Sequence, residues 1–207
     1  MRYKEFIIEG RNAVLEAFRA GKTIDKLFVL DGCQDGPVKS ILREAKKTDT
    51  IINFVDKERL DRLANSGHHQ GVVAQAAAYE YAEVEDILNA AKEKGEAPFI
   101  FILDEIEDPH NLGAIIRTAN LCGAHGVIIP KRRAVGLTAT VAKTSAGAVN
   151  YTPVAKVTNI AKTIEELKKE GMWFVCADMD GDVMYDVNMK GPIGLVIGNE
   201  GEGGGRL

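Results

Sequence analysis

Unbroken apolar runs of about five residues punctuate the chain: KLFVL (26–30), IINFV (51–55), FIFIL (99–103), GVIIP (126–130) and IGLVI (193–197), with GVVAQAAA (71–78) and MWFVCAD (172–178) as longer variants. Runs without polar alternation predict strands covered on both faces. Between them, apolar residues recur at helical spacing. GRNAVLEAFRAG predicts a helix stopped by Gly21, and Gly36 with Pro37 opens one carrying Val38, Ile41, Leu42 and Ala45. Asp56 to Leu63, about Leu112 to Cys122, and a stretch from a Thr158 cap through Ile160, Ile164 and Leu167 to Gly171 read the same way. VNYTPV (149–154) predicts a short edge strand weakened by Pro153, and TATVAKTSAG (138–147) is small, polar and helix-compatible. Strand and helix alternate throughout, which predicts an α/β fold with parallel strands and covering helices.

The alternation breaks once. Tyr79 to Gly95 is polar, and Val84, Ile87, Leu88 and Ala91 give only a thin apolar stripe, so residues 79–97 read as a linker helix between an α/β unit at 1–78 and a second unit at 98–207.

Composition narrows the class. At 207 residues, 45% apolar and 27% charged, the chain is globular and long enough for one large domain or two small ones. No run approaches transmembrane length, and MRYKEFIIEG lacks the apolar core of a signal peptide, so a cytoplasmic location is expected and a membrane partner is not. Cys33, Cys122 and Cys176 are far apart, with no CxxC spacing, which argues against both a disulfide framework and a metal site. A net charge of −4 excludes a diffuse basic surface and leaves only local patches for nucleic acid.

The candidate chemistry gathers after the central strand, in PFIFILDEIEDPHNLGAIIRTA. Asp104, Glu105, Glu107 and Asp108 crowd the strand exit, Pro109 ends regular pairing, and Asn111 and Gly113 supply turn chemistry at the helix start. In an open α/β sheet ligands bind beyond the carboxyl ends of the strands, and this segment brings Asn111 and Arg117 there. Taken alone, the pair reads more readily as a capping Asn and a snorkelling surface Arg. Lys131, Arg132 and Arg133, directly after a strand, offer phosphate contacts, as an ordinary solvated loop also would. Arg11 with Asn12, and His68, His69 and Gln70 before Gly71, are the places in the first unit able to touch a ligand such as RNA. Thr144 to Gly147 can approach a ligand closely. Ile193–Ile197 runs into Gly198, Asn199, Glu200, Gly201, Glu202 and Gly203, where glycines admit a bound group while two carboxylates favour a neutral or cationic ligand over a polyanion.

Three segments, DPHNLGAIIRTA, KTSAGA and LVIGNEGEG, in this order and spacing, closely resemble the first motif, the intervening segment and the second motif of the SpoU (TrmH) family, S-adenosylmethionine-dependent 2'-O-ribose methyltransferases of RNA. The first half, through GRNAV and HQGVVA, is similar to the L30e-like substrate-binding domain of the subgroup acting on 23S rRNA. The resemblance implies a SPOUT domain whose C-terminal chain forms a trefoil knot, S-adenosyl-L-methionine as cofactor, 23S rRNA as partner and assembly as a homodimer. It also implies site residues: Arg117, Asn111 and Glu200 for catalysis, and Gly198, Asn199, Gly201, Gly203, Thr144 and Ala146 around the cofactor. For RNA it points to Arg11, Asn12, His69, Gln70, Lys131, Arg132 and Arg133. The family's third motif, an apolar stretch ending in Ser-Leu-Asn, is missing because the chain stops at Leu207, and Gly203, Gly204 and Gly205 stand where relatives carry larger residues. The expected methyltransferase domain is therefore incomplete at its C-terminus. Two alternatives stay open: an RNA-binding protein whose methyltransferase-like domain no longer turns over, and a tRNA 2'-O-methyltransferase.

Overall fold

The computed structural model describes residues 6–198. The chain forms two compact units, one made by the chain up to Glu80 together with Gly136–Ala139, the other by Tyr81–Val135 and the chain from Thr140 onward.

The first unit contains strands β1 (Ile7–Glu9), β2 (Ile24–Leu30), β3 (Ile51–Val55) and β4 (Val72–Ala76), with helices α1 (Arg11–Arg19), α2 (Gly36–Lys47) and α3 (Lys57–Leu63). Strand order is β1-β4-β2-β3. Helices α1 and α2 bury Val14, Phe18, Val38 and Ile41 against Leu27, Val29, Val72 and Ala74 on one face. Leu60 of α3 covers Phe28 and Val73 on the other. Asp35 and Asp56 cap α2 and α3 by accepting from the Val38 and Arg59 amides at 3.2 and 2.7 Å.

The all-parallel expectation fails here. Strands β2 and β3 are parallel, but β4 runs antiparallel to both β1 and β2. The reason is length. Seven residues of α3 rise only about 10 Å, too little to carry the chain back along the sheet. The following loop is then tied down where β3 ended, with His69 on Asp61 of α3 at 2.9 Å and the Ser66 amide on Glu9 at 2.8 Å.

The second unit contains α4 (Val84–Lys94), β5 (Phe99–Leu103), α5 (Pro109–Leu121), β6 (Gly126–Pro130), α6 (Ala139–Thr144, its first residue grouped with the first unit), β7 (Val154–Val157), α7 (Ile160–Lys169), β8 (Trp173–Ala177) and β9 (Ile193–Ile197). All five strands are parallel, in the order β7-β6-β5-β9-β8. Helix α4, read from sequence as a connector, is an integral layer of this unit. Its Ile87 is fully buried with Ile100, Ile102 and Ile128, and Gly95 ends it in the left-handed conformation. The predicted strand at 149–154 also shifts. Ala148–Asn150 forms a 3-10 turn and pairing with β6 starts only at Val154, because Pro153 has no N–H to give and contributes its carbonyl to Val127 instead. Asn159, not Thr158, caps α7, accepting from the Lys162 amide at 2.9 Å.

Candidate active site

The chain leaves β5 for β6 and β7 on one side, then crosses to β8 and returns to place β9 beside β5. Order reverses between β5 and β9, and at such a switch point the loops part to leave a crevice beyond the strand ends. Leu103 and Ile197 lie side by side in register, and the Asp104 amide donates to the Ile197 carbonyl at 2.9 Å, so Gly198 follows directly beside the exit of β5. Asn199, Glu200, Gly201 and Gly203 lie outside the described residues, as does the chain expected to form a knot.

Helix α5 rises from this edge. Asp108 caps it by accepting from the His110 amide at 2.6 Å, so Asn111 is the third helical residue and not the cap. Asn111 and Arg117 are both exposed, and Arg117 has no hydrogen-bond or ionic partner among the described residues. Six residues apart, they are separated by about 9 Å along the axis and about 120° around it, so they do not share a helix face.

Gly113 does share the face of Arg117, one turn earlier. A Cβ there would lie 1.9 Å from Thr144 Oγ1 and 2.9 Å from the Ser145 amide nitrogen, so α5 and the end of α6 touch through backbone. Thr144 spends its hydroxyl within this contact, toward the carbonyls of Pro109 at 3.2 Å and Thr140 at 2.9 Å. Its side chain is thus committed to holding α6 against α5. Ala146 beyond it is exposed, with φ 51°, followed by Gly147 at φ 85°. A left-handed non-glycine residue costs of order 1 kcal/mol, and such strain concentrates where a segment meets a ligand.

The loops after β5 and β6 are clamped together. Arg133 pairs with Glu105, both residues adopt positive φ, and the Val135 amide donates to the Ile106 carbonyl at 3.0 Å. Arg133 therefore reaches any phosphate with its charge already shared. Arg132 is exposed and without a partner among the described residues, and the Lys131 amide is held by the Val157 carbonyl at 2.8 Å. On the β8 side of the crevice the local charge is negative. Burial, then Asp178 and Asp104, push the Cys176 thiol above its ordinary range.

In the first unit, Arg11 and Gln70 meet at one end of the sheet, with Asn12 next to Arg11 in α1. The Arg11 amide donates to Gln70 Oε1 at 3.2 Å, its Nε to the Gln70 carbonyl at 3.0 Å, and its guanidinium pairs with Asp35 at 2.7 Å. Arg11 thus ties three loops together. Asn12 stands exposed. His69 corrects the expectation of a ligand-facing side chain: it is buried, its Nδ1 accepts from the Gly71 amide at 3.0 Å, and its Nε2 faces Asp61. Both ring nitrogens are used to shape the turn into β4. Sequence reading missed the Gly113–Thr144 lock, although a glycine inside an amphipathic helix is itself the signal of close backbone approach.

Among the described residues no cluster of His, Cys, Asp or Glu is placed to hold a metal ion, and no helix is long and apolar enough to cross a membrane.

A five-stranded parallel sheet with acidic residues at its switch-point edge, and on the adjoining helix an arginine without a partner among the described residues, defines an open-sheet α/β protein, a class in which ligands bind beyond the carboxyl ends of the strands. Residues 98–206 match the SpoU rRNA Methylase family, and residues 7–82 match the domain described as RNA 2'-O ribose methyltransferase substrate binding. The chain belongs to the SpoU (TrmH) family of RNA methyltransferases. It is 52% identical over 200 residues to the TrmH family tRNA/rRNA methyltransferase YacO of Bacillus subtilis (strain 168), covering 96% of this chain and 80% of that one. A relative of the same description from Staphylococcus haemolyticus is 47% identical over 205 residues, covering 99% and 82%. The fold is shared with the SpoU methyltransferase AviRb from Streptomyces viridochromogenes, solved with AdoMet, at a TM-score of 0.54 and 21% identity over 99% of this chain and 76% of that one. It is likewise shared with an rRNA methyltransferase from Sinorhizobium meliloti, at 0.51 and 24% over 97% and 73%.

Proposed function

We propose that the protein transfers a methyl group from S-adenosyl-L-methionine to a ribose 2'-hydroxyl of RNA, with 23S rRNA as the substrate. The observation that carries this reading is Arg117, exposed and without a partner among the described residues on the helix that rises from the switch-point edge between β5 and β9. The edge suits the cofactor. A sulfonium is a cation, and Asp104 and Asp178 already make this end of the sheet unfavourable for a thiolate at Cys176. Gly198, beside the exit of β5, and the strained Ala146–Gly147 turn would line it, joined by Asn199, Glu200, Gly201 and Gly203. When bound, S-adenosylmethionine supplies a methyl group activated for in-line attack.

A guanidinium stays protonated at any physiological pH, so Arg117 is suited to stabilise the developing 2'-oxyanion and the neighbouring phosphate rather than to remove the proton. Asn111, on a different face of α5, orients the ribose. Glu200 favours the cationic donor. Arg132, with Lys131 and the Glu105-shared Arg133, holds flanking phosphates, and Arg11, Asn12 and Gln70 contact RNA in the first unit, Arg11 chiefly by shaping the loops. A homodimer through the second unit is supported by Leu121 at the end of α5 and Tyr151 after the 3-10 turn packed on it, which are 80% and 81% exposed. A cytoplasmic location fits an enzyme of ribosomal RNA.

The test is methyl incorporation from labelled cofactor into 23S rRNA, with Arg117→Ala alongside. The variant is expected to lose at least about a hundredfold in rate, the scale of one oxyanion-stabilising donor, while binding cofactor normally. No incorporation by the wild-type protein into any RNA would favour the non-catalytic RNA-binding alternative. Incorporation into tRNA alone would move the substrate.

A further inference from the structure

Not all the charges on α2 serve α2. Lys39, Arg43, Lys46 and Lys47 are exposed, and at 100° per residue they fall within about 100° of the helix circumference, beside half-buried Leu42, with which they line one shallow groove. Helix stability accounts for part of this. Lys46 and Lys47 sit in the last turn, where the helix dipole favours cations, and Lys47 bonds Glu44 at 2.9 Å. Lys39 is the reverse case, placed in the opening turn with no acidic residue there to offset it. Arg43 lies 3.8 Å from a carboxylate that Lys47 already holds, and Lys39 and Lys46 meet no carboxylate among the described residues. Glu44, the acid set among these cations, is held below the usual carboxylate range by the hydrogen bond from Lys47 first, with Arg43 and Arg19 adding to it. Helix α7 makes the contrast. Its Lys162 and Lys168 lie 3.6 and 2.7 Å from Glu166 and Glu165, the arrangement expected of a merely solvated face.

We infer that the exposed face of α2 is a phosphate-binding surface that grips the RNA backbone away from the methylated nucleotide. The inference rests on the functional reading above and says where the first unit holds its substrate. Lys39 and Lys47 lie about 12 Å apart along the axis, long enough for the row to address several successive phosphates of one strand with Leu42 beneath a sugar. Such contacts carry no sequence information. They add affinity and register, and leave base choice to other residues.

The experiment measures binding of transcribed 23S rRNA fragments across a salt series, for wild type and for a Lys39→Gln, Arg43→Gln, Lys46→Gln variant, with Lys57→Gln, Arg59→Gln, Arg62→Gln on α3 as a charge-matched control on the other face of the sheet. Glutamine keeps helix propensity, and an unchanged melting temperature is expected. The α2 variant is expected to bind about 10- to 100-fold more weakly near 0.1 M salt, with the log–log salt slope reduced by about 2. Its methylation rate at saturating RNA stays at the wild-type value, and a Lys39→Arg, Arg43→Lys, Lys46→Arg variant regains affinity. Equal affinity and slope for wild type and the α2 variant would overturn the inference while leaving the functional reading standing. An equal loss in the α3 control would overturn it too, by showing a non-specific charge effect. Failure of the wild-type protein to bind or methylate RNA would defeat the functional reading itself, and this inference with it.

Discussion

Replacing Gly113 by alanine sets two opposing effects against each other, and their sum has a definite sign. In the interior of a helix, Gly→Ala ordinarily stabilises by about 1 kcal/mol through backbone entropy. At this position the new methyl would lie 1.9 Å from Thr144 Oγ1, 2.7 Å from Thr144 Cβ and 2.9 Å from the Ser145 amide nitrogen. Rotating Thr144 removes only the first of these. The other two belong to the frame of α6, so the helix end itself must move, and the Thr144 hydrogen bonds to Pro109 and Thr140 stretch with it. Overpacking of this kind costs about 3 kcal/mol or somewhat more. The net expectation is a loss of about 2 kcal/mol, which for a chain of this size lowers Tm by about 4–8 °C. Thermal melts of Gly113→Ala, Thr144→Ala and the double variant measure it. The double variant is expected to lose at least about 0.5 kcal/mol less than the sum of the singles, because each change touches the same contact. A Gly113→Ala protein that melts at or above the wild-type temperature would show that α5 and α6 do not meet through backbone there.

Three further outcomes are expected. His125, 4% exposed, accepts from the Phe99 amide at 3.0 Å through Nδ1 and reaches Glu96 at 3.0 Å through Nε2, so His125→Ala leaves a cavity and an unpaired amide at the start of β5 and costs about 2–4 kcal/mol in urea unfolding; a loss under 1 kcal/mol would contradict it. Ala146→Gly removes a left-handed strain and should raise stability by about 0.5–1 kcal/mol while weakening cofactor binding in calorimetry through added loop entropy; destabilisation would refute the first half. The Glu9 carboxyl is held below its ordinary 4.5 chiefly by hydrogen bonding from Ser66, with burial opposing. A lowered folded-state value stabilises above the unfolded value and is lost as pH falls through the folded one. Urea midpoints of wild type and Glu9→Gln should therefore differ at pH 7, by under about 1 kcal/mol for a half-buried carboxylate, and converge as acid protonates the folded-state carboxyl; a gap that persisted in acid would have another origin.

The second unit was legible from sequence because its central strands are buried on both faces and most of its helices run ten residues or more. FIFIL, GVIIP and IGLVI carry no alternation to misread, and each became a strand at the expected residues. The direction of β4 was not legible. Strand direction is decided by how far the intervening segment can carry the chain, and the loop anchored by His69 and Ser66 returns it at the end where β3 left off. The same anchoring explains the misassigned histidine. A His-His-Gln turn looks solvent-facing in one dimension, and only the neighbouring helix reveals that Asp61 waits for the second ring nitrogen.

The candidate site was legible to the degree that its residues lack structural duties. Arg117 reads as unusual in sequence because it interrupts an apolar helix, and in the fold it remains without a partner among the described residues. Thr144 and Arg133 carry polar chemistry too, yet both are bound into the scaffold, one to the carbonyls of Pro109 and Thr140, the other to Glu105. Sequence motifs do not separate these two kinds of residue, since a group that holds the edge together is as indispensable as one that meets the substrate. Hydrogen-bond accounting does separate them. A side chain whose capacity is already used keeps the edge in shape, and one whose capacity is unspent is placed for a ligand. By that criterion Arg117 and Arg132 are the residues we propose for substrate contact, while Thr144 and Arg133 hold the loops of the second unit, and Arg11 those of the first.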